Sequence, residues 1–100
     1  MLTGKQKSFL RSEAHSFQPI IQVGKAIVTE ATIETVVKAL EARELIKVSV
    51  LQNCLAEPKE VAEAIADHSG AEIVQVIGRT VVLFKQSSKK ANRDISVRMP

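Results

Sequence analysis

The chain has no tryptophan and no tyrosine, and its only aromatic rings are Phe9, Phe17 and Phe84. Readers of single-stranded nucleic acid usually offer ring platforms for bases, so base stacking has little to work with here. Cysteine occurs once, at Cys54, which excludes an intrachain disulfide and a cysteine zinc cluster. No apolar run comes near the ~20 residues that span a bilayer; Val81–Phe84 is among the longest. The first residues, Met1–Lys7, carry charge where a signal peptide needs an apolar stretch, so a cytoplasmic location is expected. His15 and His68 stand singly, without the i, i+4 spacing of a helical zinc pair and without a nucleophile motif beside them. Glu30, Glu34 and Glu41 fall on a helix that must expose a polar face. The expectation is therefore no catalytic residue, no metal, no cofactor and no small-molecule substrate: the chain is not read as an enzyme.

What is present fits one domain. One hundred residues, 45% of them hydrophobic, are enough to bury a core of ordinary size. Net charge is only +3, but it is unevenly spread. Residues 1–28 set Lys5, Lys7, Arg11 and Lys25 against Glu13 alone. The middle, residues 29–72, is acidic, and residues 85–100 are basic again. A chain with such polarity can turn one side to a polyanion.

The spacing of apolar residues predicts seven elements. Thr3 can cap a first helix to about Ser16, with Leu10, Ala14 and Phe17 as its buried stripe. Pro19–Val23 reads as a short strand. Thr29 can cap a second helix whose stripe is Ile33, Val36, Val37 and Leu40. Leu45–Leu51 alternates like a half-buried strand. Pro58 suits the first turn of a third helix, which Gly70 ends. Two β-branched runs, Ile73–Ile77 and Thr80–Phe84, flank Gly78-Arg79, a hairpin signal compatible with a type II′ turn. The expected architecture is α+β: a compact single domain, α-β-α-β-α-β-β, with a mixed four-stranded sheet packed by three helices. Its folded body should span residues 1–85. Beyond Lys85 the chain turns Ser-, Lys- and Asn-rich with no helical stripe, which predicts a flexible basic tail over residues 86–100.

Two features bear on function. Lys7, Arg11 and His15 recur every fourth residue, so they stack along one edge of the first helix. Gly24-Lys25 lies between a strand and the start of a helix, where outward amides, the helix dipole and a mobile cation would suit a phosphate. A solvated helix edge and an ordinary tight turn fit the same residues.

The stretches Leu2–Lys7, Leu10–His15, Pro19–Lys25 and Leu45–Val48, with Val76–Arg79 and then Val82–Phe84, resemble successive signatures of the CRM-domain (YhbY-type) family. The resemblance runs in order from about Leu2 to Lys85. It implies an RNA-binding module with a fold similar to the C-terminal domain of translation initiation factor three. Bacterial single-domain members associate with precursors of the large ribosomal subunit, and plant members use repeated copies in organelle intron splicing. The family assigns RNA contact to a G-x-x-G loop before the second helix, which carries over to Gly24, Lys25 and Thr29. Ile27 stands where the second glycine would be, adding bulk and disfavouring positive φ. Phe84 replaces a tyrosine often found there.

Together these readings predict that Lys5, Lys7, Arg11, His15, Gly24, Lys25, Thr29 and Arg79 bind ribosomal RNA or a pre-ribosomal particle, mainly through phosphates. With so few rings, phosphate and shape contacts should outweigh base readout. The alternative is a protein-interaction adaptor that docks a basic ribosomal protein on the acidic middle, with Glu34, Glu41, Glu44, Glu60 and Glu63.

Overall fold

The computed structural model describes residues 2–24 and 28–100. Helix α1 spans Gly4–Ala14, and Thr3 begins it with a reciprocal cap. The Thr3 hydroxyl accepts from the Gln6 amide at 3.1 Å, and the Thr3 amide donates to the Gln6 side chain at 2.9 Å. Two amides that no helical carbonyl could satisfy are thus paired. Strand β1 is short, Ile21–Val23. Pro19 lies before it, and the Ile20 amide adds one more bond, to the Lys47 carbonyl.

Helix α2 (Glu30–Arg43) leads into strand β2 (Leu45–Val50), and helix α3 (Pro58–Ser69) into strands β3 (Glu72–Ile77) and β4 (Thr80–Phe84). Pro58 opens α3 and Gly70 closes it at φ 77°, a left-handed conformation that glycine adopts without a Cβ clash. Gly78 has φ 55° while Arg79 stays out of the positive region, the combination a type II′ hairpin uses.

The sheet order is β1-β2-β4-β3, with β1 parallel to β2 and the other pairs antiparallel. It is the mixed four-stranded sheet that the element order implied. Between Ile73 and Gln75 the register of β3 slips by one residue, so Val74 is an extra residue facing no partner.

Helices cover both faces. On one face α2 and α3 bury Val36, Leu40, Val61 and Ile65 against Ile46, Val48, Val50, Val81 and Leu83. On the other, α1 brings Leu10 and Ala14 onto Leu45, Val74, Val82 and Phe84. β2 therefore has apolar residues on both sides, beyond the half-buried strand its alternation predicted. Its one long polar side chain, Lys47, donates from Nζ to the Phe17 carbonyl at 3.0 Å.

Residues 86–100 differ from the flexible tail expected. A 3₁₀ turn at Lys90–Asn92 and a short fourth helix, α4 (Ile95–Arg98), dock on the body, and Ile95 is buried in the α1-side core. The physical reason is a pair of carboxylates at the end of α2. Glu44 is inaccessible to solvent (0% exposed) and accepts four hydrogen bonds, from the amides of Ser87, Asp94 and Ser96 and from the Ser96 hydroxyl. Glu41 accepts from the amide and hydroxyl of Ser88 at 3.0 and 2.6 Å. The Gln6 side chain and Arg98, bonded to the Pro100 carbonyl and to Glu13, tie the end of the segment to α1.

Candidate nucleic-acid interface

The sheet separates the charge. α1, with its cations, packs on one face. On the opposite face α2 and α3 turn Glu30, Glu34, Glu60, Glu63 and Asp67 to solvent, against the exposed Lys38, Arg43 and Lys59, so that side is acidic in balance. The asymmetry along the sequence becomes an asymmetry across the molecule.

Along α1 the structure brings some of the expected cations together and sets one apart. Lys7, Arg11 and His15 follow one edge, beside the stripe that buries Leu10 and Ala14. Lys7 is half-buried, while Arg11 and His15 are exposed. None of the three takes part in an ion pair or side-chain hydrogen bond among the described residues. Lys5 is exposed too, but at roughly 100° per residue it points to the other flank of the helix, on the Phe9 side. Lys47 joins Arg11 and His15 around one notch between α1 and the sheet.

Of the residues expected in the loop region, Gly24 and Thr29 lie at the end of the sheet where β1 and β2 finish and the β3–β4 hairpin turns. Gly24 is half-buried, with a backbone outside the positive-φ region; a Cβ there would meet Leu51 at 3.5 Å, an ordinary contact. Among the described residues nothing requires glycine at this position. Lys25, like Ala26 and Ile27, lies outside the described residues. Thr29 caps α2: its hydroxyl accepts from the Thr32 amide at 3.2 Å and shares a hydrogen bond with the Thr32 hydroxyl. That hydroxyl is engaged in holding the helix start.

Arg79 is used inward as well. Its guanidinium donates from Nε to the Val50 carbonyl at 2.9 Å and from Nη2 to the Leu51 carbonyl at 2.8 Å. These bonds clamp the hairpin onto the end of β2 and take two of its five N–H donors. Its positive charge remains at this end of the sheet, but its geometry is set by the fold.

The acidic middle divides in the same way. Glu44 is fully spent on the C-terminal segment. Burial pushes its carboxyl up, and the bonds from Ser96, Ser87 and Asp94 more than offset this, leaving it below the ordinary carboxylate range. Hydrogen bonds from Ser88 first, then Ser87 and the Lys85 charge, hold Glu41 low against the pull of desolvation. Two of the five carboxylates named for an adaptor surface are therefore internal anchors. Among the described residues there is no group of three or more His, Cys, Asp or Glu placed to hold a metal ion. No described helix is long and apolar enough to cross a membrane.

Comparison with known proteins agrees with this architecture. The family model of the CRS1 / YhbY (CRM) domain matches residues 2–85. The chain belongs to the CRM-domain family. It is 56% identical over 97 residues to the Bacillus subtilis protein named "Probable RNA-binding protein YqeI", covering 97% of this chain and 99% of that one. A Haemophilus influenzae protein named "RNA-binding protein" is 34% identical over 88 residues, covering 88% and 89%. The solution structure of the hypothetical protein SAV1595 from Staphylococcus aureus superposes with a TM-score of 0.76 at 48% identity, over 90% of this chain and 94% of that one.

Proposed function

We propose that this protein binds RNA through its phosphate backbone and acts, without catalysing a reaction, in assembly of the large ribosomal subunit in the cytoplasm. The observation that carries the reading is the α1 edge: Lys7 and Arg11, with the His15 ring in line, are left unpaired by the described residues on the face opposite the acidic helices. Cations with no internal partner are available to a polyanion, and an uneven charge distribution helps steer it there. Lys25, two residues after β1 in the sequence, is a further candidate contact, and Arg79 adds charge at the hairpin. Lys5 contributes from the outer flank of the same helix. The relatives named as RNA-binding proteins support RNA as the partner, and the resemblance to single-domain bacterial CRM proteins supports the ribosomal context.

The test is sedimentation of a cell lysate, followed with antibody to the protein, before and after ribonuclease treatment. Co-migration with large-subunit precursors that ends on RNA digestion is expected. Crosslinking in cells should recover large-subunit ribosomal RNA. Migration with a protein partner that survives digestion, or crosslinks confined to other RNAs, would overturn the ribosomal reading.

A further inference from the structure

Helix α1 covers only part of its face of the sheet. Leu10 and Ala14 seal the end made by Leu45, Val74 and Phe84. Two same-face rows farther along the ladder, Gln22, Ser49, Thr80 and Ile77 lie side by side across all four strands, each paired in register with the next. Lys47, Val82 and Gln75 form the row between, on the same side. No described helix packs on the outer row; Gln22 is exposed and Ile77 is 58% exposed.

Three properties of this area point the same way. The side chains of Gln75, Thr80, Ser49 and Gln22 make no hydrogen bond among the described residues, so their donors and acceptors are unused. Arg11, His15 and Lys47 border the same notch, so a negative group entering it meets cations. The notch encloses about 290 Å³, just under the roughly 300–1,000 Å³ of small-molecule sites, which suits one nucleotide and excludes a double helix.

We propose that the notch between the last turn of α1 and the uncovered sheet seats one unpaired nucleotide of the bound RNA. This rests on the RNA-binding reading above and adds recognition of RNA form to it. The phosphate lies toward Arg11 and Lys47, and the base edge meets Gln75 and Thr80. The face of the base rests on Ile77, an aliphatic contact in place of the aromatic stacking that this chain lacks. A bulged or looped-out base can enter the notch; a paired one cannot.

The experiment uses the full chain and two synthetic RNA hairpins, identical except that one carries a single-nucleotide bulge. Affinity is read by fluorescence anisotropy for wild type and for a Gln75→Ala, Thr80→Val double variant whose thermal transition is checked. Wild type should prefer the bulged hairpin about tenfold, the size of two net hydrogen bonds. The double variant should lose that preference and keep its affinity for the paired hairpin. Independently of any variant, NMR amide shifts on adding the bulged hairpin should centre on Gln75, Ile77 and Thr80. Equal binding of the two hairpins, a preference that survives the double substitution, or shifts elsewhere would overturn the inference while leaving phosphate binding by α1 intact. Concentration-dependent shifts at this face without RNA would assign it to a second copy of the chain and also overturn it. Failure to bind either hairpin would remove both readings.

Discussion

The charged groups at the end of α2 and those along the edge of α1 sit on one small domain but are used in opposite ways. Glu44 and Glu41 turn toward the C-terminal segment and accept hydrogen bonds from Ser87, Ser88, Asp94 and Ser96. Lys7 and Arg11 meet no partner among the described residues. Charge that is fully hydrogen-bonded inside a protein is part of its framework, and removing it leaves the partners stranded. Charge left unpaired at the surface contributes little to stability and is open to a ligand. The contrast separates structural from functional candidates better than the type of residue does.

The largest effect should come from Glu44. Its backbone is at φ 66°, a conformation that costs a non-glycine residue on the order of 1 kcal/mol and is held by the surrounding bonds. Glu44→Ala would leave three amides and a hydroxyl without their acceptor, and urea unfolding should show a loss of about 3 kcal/mol or more. A loss below about 1 kcal/mol would show that the segment is not anchored there.

Next is the response to acid. Both carboxyls are held below their ordinary value in the folded state, so their contribution is present above the unfolded pKa and fades as pH falls through the lower folded values. Denaturant unfolding measured downward from pH 7 should show stability dropping below the ordinary carboxylate range, and the drop should be shallower in Glu44→Gln. An identical profile in that variant would remove Glu44 from the account.

A smaller effect belongs to Arg98, which bonds to Glu13 at 2.6 Å and Asp94 at 3.2 Å and lies 5.7 Å from the centroid of the Phe9 ring. These contacts are exposed, so Arg98→Ala should cost under about 1 kcal/mol. The smallest change in stability, within about 0.5 kcal/mol, is expected for Arg11→Glu, which removes an exposed side chain with no partner to strand.

The features legible in the sequence are those decided by a few neighbouring residues. The Thr3 cap, the Thr29 cap, the Pro58 start and Gly70 stop of α3, and the Gly78-Arg79 hairpin each follow from local backbone chemistry, and each is found. The apolar stripes named the core for the same reason. The order of residues 86–100 was not legible, because its anchors, Glu41 and Glu44, lie more than 40 residues away and look like members of a solvated acidic run. Arg79 looked like a surface cation because nothing near it in sequence reveals that two carbonyls at the end of β2 claim its guanidinium. Lys7, Arg11 and His15 shared an edge already on helical spacing, whereas Lys5, grouped with them in one basic face, falls on the other flank. The notch by Gln75 and Thr80 depends on how far α1 extends over the sheet and on the β3 bulge, and neither is written locally.

If the unpaired cations of α1, and not the charges of the acidic face, hold RNA, the salt dependence of affinity for large-subunit RNA should separate wild type from Lys7→Glu and Arg11→Glu but not from Glu34→Gln on the far side. Each α1 variant should bind more weakly and flatten the log–log slope by roughly 0.7–0.9, the loss of one phosphate contact, while Glu34→Gln leaves the slope unchanged. Unaltered affinity and slope in both folded α1 variants would show that these cations do not hold the RNA.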